Sequence, residues 1–175
     1  ARIAAKIAKA SSCADRVRSV LDTEPEIRDR PDAVAAPAFS GRVTYDNLAF
    51  EYAKGRQTLR DISLDILPGQ RVALVGPTGA GKSTLVKLLL RFYDPTSGAV
   101  RIDGRDIREF TLESLRGQIS VVQQETVLFG TTIEENIAMG RAGATLDDVR
   151  AAAAALDLDD WLTSLPKGYK TPVGE

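Results

Sequence analysis

The hydrophobic positions of this 175-residue chain change period several times, and each change predicts a different element. Ile3, Ile7, Ala10, Ala14, Val17 and Leu21 recur at alternating steps of four and three, the spacing of one helix face, so residues 1–21 are expected to form an amphipathic helix. From Asp22 to Ser40 that period is lost. Pro25, Pro31 and Pro37 punctuate an acidic stretch, "DTEPEIRDRPDAVAAPAFS", which is expected to be a linker over residues 22–40. The globular part, residues 41–175, opens with Val43, Tyr45, Leu48 and Phe50; Ile62, Leu64 and Ile66 then alternate with polar residues at period two. Two or three antiparallel strands are predicted here.

Pro68-Gly69 makes a turn into "QRVALVG", a short aliphatic run of the kind buried in a parallel sheet. Lys82 to Phe92 reads as a helix with Leu85, Leu88, Leu89 and Phe92 as its apolar stripe, and "DPTSG" ends it. "AVRIDG" is predicted as a strand running into a tight turn, Leu112 to Arg116 as a short helix, and "QISVVQQ" as another strand. From about residue 131 the pattern is helical: Thr132 to Ala138, then Thr145 to Ala155, then Asp157 to Leu165. Thr145 with Asp148 three residues on is an N-terminal capping signal.

Composition narrows the function classes. Hydrophobic residues make up 43% and charged residues 27%, the balance of a globular protein. The 23 basic and 24 acidic residues give a net charge of -1, so no global field draws the chain to nucleic acid, and any anion site must be local. Residues 1–20 are locally basic, with Arg2, Lys6, Lys9, Arg16 and Arg18 against Asp15 alone. The single cysteine, Cys13, has no partner for an internal disulfide, and no apolar run reaches the ~20 residues that span a bilayer. There is no histidine, which removes the commonest general base and metal ligand.

The local anion site is legible in "GPTGAGKST", residues 76 to 84. Gly76, Gly81, Lys82 and Ser83 meet the G-x-x-x-x-G-K-[ST] pattern between a predicted strand and a predicted helix, the context in which that pattern holds phosphates. Gly76, Gly79 and Gly81 let the loop Gly76, Pro77, Thr78, Gly79, Ala80 and Gly81 turn its N–H groups inward, at every position but Pro77, which has none, and the helix N-terminus adds roughly half a positive charge. Lys82 is expected at the β- and γ-phosphates, the Ser83 hydroxyl on a bridging Mg²⁺, and Thr84 at the α-phosphate end. The motif alone does not separate ATP from GTP, or an ATPase from a kinase.

"FEY" before the loop, "GPTGAGKSTLVKLLLRFYDPTSGAVRIDG" through it and "VVQQETVLFGTTIEENIAMG" after it resemble, in order and spacing, the nucleotide-binding domain of exporter-type ABC transporters over roughly residues 40 to 175. The resemblance implies an α/β fold: a P-loop NTPase core with an N-terminal antiparallel β-subdomain and the start of a helical subdomain, incomplete in this chain. It implies ATP and Mg²⁺ as cofactors, Tyr52 stacking on the adenine, and a glutamine touching Mg²⁺ and the attacking water. The spacing to Leu128 and Phe129 favours Gln124 over Gln123 for that glutamine. It further implies two partners, a transmembrane domain of the same transporter and a second nucleotide-binding domain in a head-to-tail dimer, at the cytoplasmic face of a membrane. Residues 1–21 then look like the extension of a last transmembrane helix, and "YKTPVGE" like the segment just before the family's signature.

The sequence departs from the family's pattern in three places. It has no LSGGQ-type signature, no apolar strand ending in Asp-Glu, and no switch histidine. The aspartate would hold Mg²⁺ and the glutamate would polarise water, so the chain by itself is expected to bind nucleotide without turning it over, Lys82 and Gln124 being the catalytic groups it retains. Two other readings stand beside this one: a non-catalytic nucleotide-binding or interaction module, and a soluble ABC-type ATPase or another phosphate-loop enzyme.

Overall fold

The structure, a computed structural model, describes residues 13–53, 55–124 and 127–174. The chain divides into two compact units, residues 1–120 and 121–175. Of the helix predicted over residues 1–21, the described part, α1 (residues 13–21), is helical and exposed along its length; residues 1–12 lie outside the described residues.

The first unit is built on a four-stranded antiparallel sheet in the order β2-β1-β3-β4, from β1 (Val43–Ala53), β2 (Arg56–Ile66), β3 (Ser97–Ile102) and β4 (Arg105–Asp106). The spacing of the apolar residues in β1 contains its own irregularity. Val43 and Tyr45 are odd positions and Leu48 and Phe50 even ones, so the inward face changes parity between Tyr45 and Leu48. Asn47 sits there at φ 43, and the register with both neighbouring strands shifts at that point. The extra residue is a β-bulge that returns Leu48 to the core side. Gly98 of β3 faces this bulge at φ +76, where an added Cβ would lie 2.4 Å from the Asp46 carbonyl oxygen, so only glycine fits.

Helix α2 (Lys82–Leu89) lays Leu85 and Leu88 against the sheet, joining Tyr45, Leu48, Phe50, Leu59, Val100 and Ile102 in one core. The Tyr45 hydroxyl donates to the Leu85 carbonyl at 3.1 Å, and burial pushes its pKa up to about 12. Helix α2 is shorter than the predicted Lys82–Phe92. Arg91 takes φ 52 and turns the chain, so Phe92 leaves the apolar stripe and is 48% exposed, its ring under the Arg116 guanidinium at 4.9 Å. Arg91 itself is 2% exposed; its Nε donates to Asp94 at 3.0 Å and its Nη2 to the Arg28 carbonyl at 3.1 Å, while Nη1 is buried without a partner.

The proline-rich stretch lies along this unit. Asp29 accepts from the Leu112 N–H that opens α3 (Leu112–Arg116), Val34 bridges Phe110, and the Ala36 N–H donates to the Ser114 hydroxyl. Asp103 gathers the Ser40 hydroxyl and the N–H groups of Ser40, Gly41 and Arg42, and these bonds, the Ser40 hydroxyl first, hold its carboxyl below the usual carboxylate range.

Two predicted strands are not formed. Residues 71–76 and 118–124 carry no strand, and Val72, Leu74, Val75, Val121 and Val122 are exposed. A strand of a parallel sheet satisfies its N–H and C=O groups only through neighbouring strands. Among the described residues no segment pairs with either run.

The second unit carries three short helices, α4 (Ile133–Ala138), α5 (Leu146–Ala154) and α6 (Asp159–Ser164), around Val149, Ala153, Leu162 and Tyr169. Both α4 and α5 open with reciprocal capping boxes, Thr132 with Glu135 and Thr145 with Asp148; the second is the one the sequence signals. A two-residue ribbon, β5 (Thr131–Thr132) against β6 (Pro172–Val173), was not foreseen and closes the unit's ends together.

Candidate nucleotide site

The phosphate-loop motif lies at the N-terminal end of α2, beside the β1–β2 hairpin. Gly79 and Gly81 adopt φ 84 and 88, left-handed values that let the loop curl and enter the helix without a Cβ clash. At Gly81 an added Cβ would sit 2.5 Å from Leu59 Cδ2 of β2, so the hairpin packs directly on the point where loop becomes helix. Gly81 provides no side-chain cap, and the first turn of α2 contains no acidic residue. The first turn of α2 thus supplies no carboxylate of its own to offset the helix dipole, the arrangement that favours an external anion.

Lys82 folds back over the loop. Its Nζ donates to the carbonyl oxygens of Gly76 and Pro77, each at 2.8 Å, which holds the ammonium at the loop's inner edge and leaves a third N–H for an incoming oxygen. Residues 76–80 are exposed, as is Ser83. Thr84 is 5% exposed, and its hydroxyl shares a hydrogen bond of 3.2 Å with the hydroxyl of Tyr52.

Tyr52, 46% exposed at the end of β1, is therefore tied to the helix that the loop opens. Its ring meets Phe50 at 4.8 Å and 85° and Tyr93 at 5.1 Å and 90°, and Lys87 Nζ stands over it at 5.9 Å from the centroid. Of the residues singled out in the sequence, Gly76 to Thr84 and Tyr52 come together in the first unit. Gln124 belongs to the second unit, exposed in the irregular stretch 121–124. Sequence reasoning did not foresee Phe50, Lys87 and Tyr93 around Tyr52. The i, i+2 spacing that puts Phe50 and Tyr52 on one strand face is the only signal that pointed there.

A strand-free glycine loop that hands a lysine and a hydroxyl to a helix N-terminus, with an exposed aromatic ring bonded to the same helix, places the chain among phosphate-loop nucleotide-binding domains. Comparison with known proteins narrows this: the profile of the ABC transporter family matches residues 59–172. The chain belongs to the ABC transporter family and is part of its ATP-binding domain.

Its relatives include the human ATP-binding cassette sub-family B member 6, 51% identical over 156 residues, which cover 89% of this chain and 18% of the human protein. The ATM1-type heavy metal exporter of Novosphingobium aromaticivorans is 47% identical over 89% of this chain and 26% of its own length. The putative multidrug export ATP-binding/permease protein YgaD of Bacillus subtilis is 46% identical over 92% of this chain and 28% of its own length. A solved structure of a bacterial Atm1-family ABC exporter with ATP bound superposes with a TM-score of 0.83 at 44% identity, over 97% of this chain and 30% of that one. The chain thus spans less than a third of the length of these relatives.

Proposed function

We propose that this chain holds one half of an ATP site, within a longer exporter that couples ATP hydrolysis to movement of a substrate across a membrane. The observation that carries the reading is the join between its two parts: the Lys82 ammonium is fixed on the loop carbonyls of Gly76 and Pro77, and Thr84, two residues on, holds the hydroxyl of the exposed Tyr52 ring. Residues Gly76 to Thr84 take the triphosphate and Tyr52 takes the face of the adenine. Stacking on a flat ring suits a base face, and the loop N–H groups suit oxygens.

The residues present fit Mg²⁺ as a companion of the triphosphate. The exposed Ser83 hydroxyl would supply one oxygen, which suits Mg²⁺ because that ion is commonly held with few protein ligands. Gln124, in the second unit, is proposed on the family resemblance alone as a further oxygen donor in the longer protein. The metal supplies charge neutralisation of the β- and γ-phosphates; Lys82 and the loop N–H groups orient them.

The chain's own sequence lacks the signature, the Asp-Glu pair and the histidine, so turnover is assigned to the longer protein and binding to this segment. Two partners belong to this proposal: a membrane domain in the same protein, which the exporter relatives support, and a second nucleotide-binding domain that would complete the site head to tail. No helix among the described residues is long and apolar enough to cross a membrane. The exporter relatives support a position beside a membrane, and the cytoplasmic face is part of this proposal. In the second unit an apolar groove of about 440 Å³, lined by Phe129, Ile133, Met139 and Trp161, supports contact with an apolar partner such as that domain.

The test is titration of the chain with a fluorescent ATP analogue in Mg²⁺, beside Lys82→Ala, with phosphate release followed in the same samples. The expected outcome is saturable binding weakened about tenfold or more in Lys82→Ala, the loss of a charge-assisted phosphate contact, with no release above background. Equal binding by both proteins would overturn the loop assignment. Measurable turnover would overturn the half-site reading.

A further inference from the structure

We propose that Tyr93 is the positioning residue that holds the Tyr52 ring upright for the nucleotide base, an inference that rests on the base-stacking role assigned to Tyr52 above. Tyr52 is the penultimate residue of β1 and is 46% exposed, so its own backbone does little to fix the ring. Three contacts fix it instead. At one end its hydroxyl is bonded to Thr84; at the sides it meets the buried Phe50 and the half-buried Tyr93 at 85° and 90°. Neither ring stacks parallel on Tyr52. Phe50 and Tyr93 also touch each other, at 5.5 Å and 52°, which closes a three-ring cluster with Tyr52 as its outermost member.

Tyr93 reaches this position through the turn that ends α2. Arg91 at φ 52 reverses the chain, and its buried guanidinium pins the turn to Asp94 and to the Arg28 carbonyl. The helix that presents Lys82 and Thr84 at its start therefore returns Tyr93 to the base-facing ring from its far end. The distance from phosphate contact to base contact is set by one rigid element and its two ends. Phe50 is 4% exposed and belongs to the core, so Tyr93 is the member of the cluster whose replacement reports on positioning rather than on the fold.

The experiment is calorimetric titration of the whole chain and of Tyr93→Leu, Tyr93→His and Tyr93→Phe with Mg·ATP and, separately, with Mg·tripolyphosphate, which carries the phosphates without a base. Thermal melts of each variant accompany the titrations. Tyr93→Phe keeps the ring and is expected to bind both ligands as the parent does. Tyr93→Leu is expected to bind ATP about threefold to tenfold more weakly, the range that an aromatic pair supplies, with tripolyphosphate unchanged. Tyr93→His, a smaller flat ring, is expected to fall between.

Equal weakening of both ligands, in whichever variant still melts cooperatively, would make Tyr93 merely structural and overturn the proposal, as would unchanged ATP affinity in Tyr93→Leu. A Tyr52→Ala control separates the two readings. If that variant binds ATP as the parent does, the base-stacking role of Tyr52 fails and Tyr93 falls with it; if it weakens ATP alone while Tyr93→Leu does not, only the Tyr93 proposal fails.

Discussion

Replacing Arg91 should destabilise the first unit more than any exposed arginine could, and the structure bounds the amount. The side chain is 2% exposed and donates to the Asp94 carboxylate and to the Arg28 carbonyl. Hydrogen bonds to charged groups are worth about 1.5–3 kcal/mol each. Two features reduce the total. Asp94 is 35% exposed, so water recovers part of its loss, and the partnerless Nη1 relieves a desolvation cost of about 1–3 kcal/mol when it is removed. Arg91→Ala, which also leaves a void, is expected to lose about 3 kcal/mol, and Arg91→Met, which keeps the stem packed, about half that.

The backbone adds a discriminating sign. At φ 52 glycine is relieved of about 1 kcal/mol of strain, so Arg91→Gly should be the milder of the two truncations, the reverse of the order in a helix. Urea unfolding followed by far-UV circular dichroism reads the loss, with fluorescence of Trp161, the single tryptophan, reporting on the second unit as a control. A loss below about 1 kcal/mol in Arg91→Ala, or greater damage in Arg91→Gly than in Arg91→Ala, would refute the reasoning.

Two further predictions concern the sheet. Tyr45 has its folded pKa raised from 10.0 to about 12, so its contribution to stability is complete below pH 10 and is lost as pH rises toward 12, at about 1.4 kcal/mol per pH unit. Tyr45→Phe should flatten this alkaline limb in denaturant titrations at pH 9–11 while losing about 1 kcal/mol at neutral pH through the bond to Leu85; an unchanged limb would contradict it. Gly98→Ala should lose roughly 3 kcal/mol or fail to fold, because its Cβ meets backbone oxygens of the β1 bulge at 2.4 and 2.5 Å, and a melt within 2 °C of the parent would contradict that.

Much of this arrangement was legible because it is written in local spacing. The antiparallel strands, α3 and the helices of the second unit, with the Thr145 cap, follow from apolar period and cap residues a few positions apart, whereas the bulge in β1 was not foreseen. The phosphate loop follows from glycines whose backbone need is local. Other features depend on partners distant in sequence. The helix α2 ends at Leu89, ahead of the Pro95 signal, at a turn held by a buried arginine bonded to a carbonyl 63 positions earlier. The bond between Tyr52 and Thr84 and the approach of Tyr93 have no sequence period at all. Residues 71–76 and 118–124 show the converse: their apolar pattern predicts strands that the structure does not form, because pairing needs neighbouring strands and none among the described residues lies against them.

The central claim is that the loop and Tyr52 form one ligand surface. Amide and aromatic NMR shifts of the chain, recorded on addition of Mg·ATP, test it most directly. The account predicts that the largest changes fall on Gly76 to Thr84 and on the Tyr52 ring, with residues 145–165 of the second unit unmoved. Changes confined to the second unit, or changes in the loop with none at Tyr52 when ATP replaces tripolyphosphate, would contradict it.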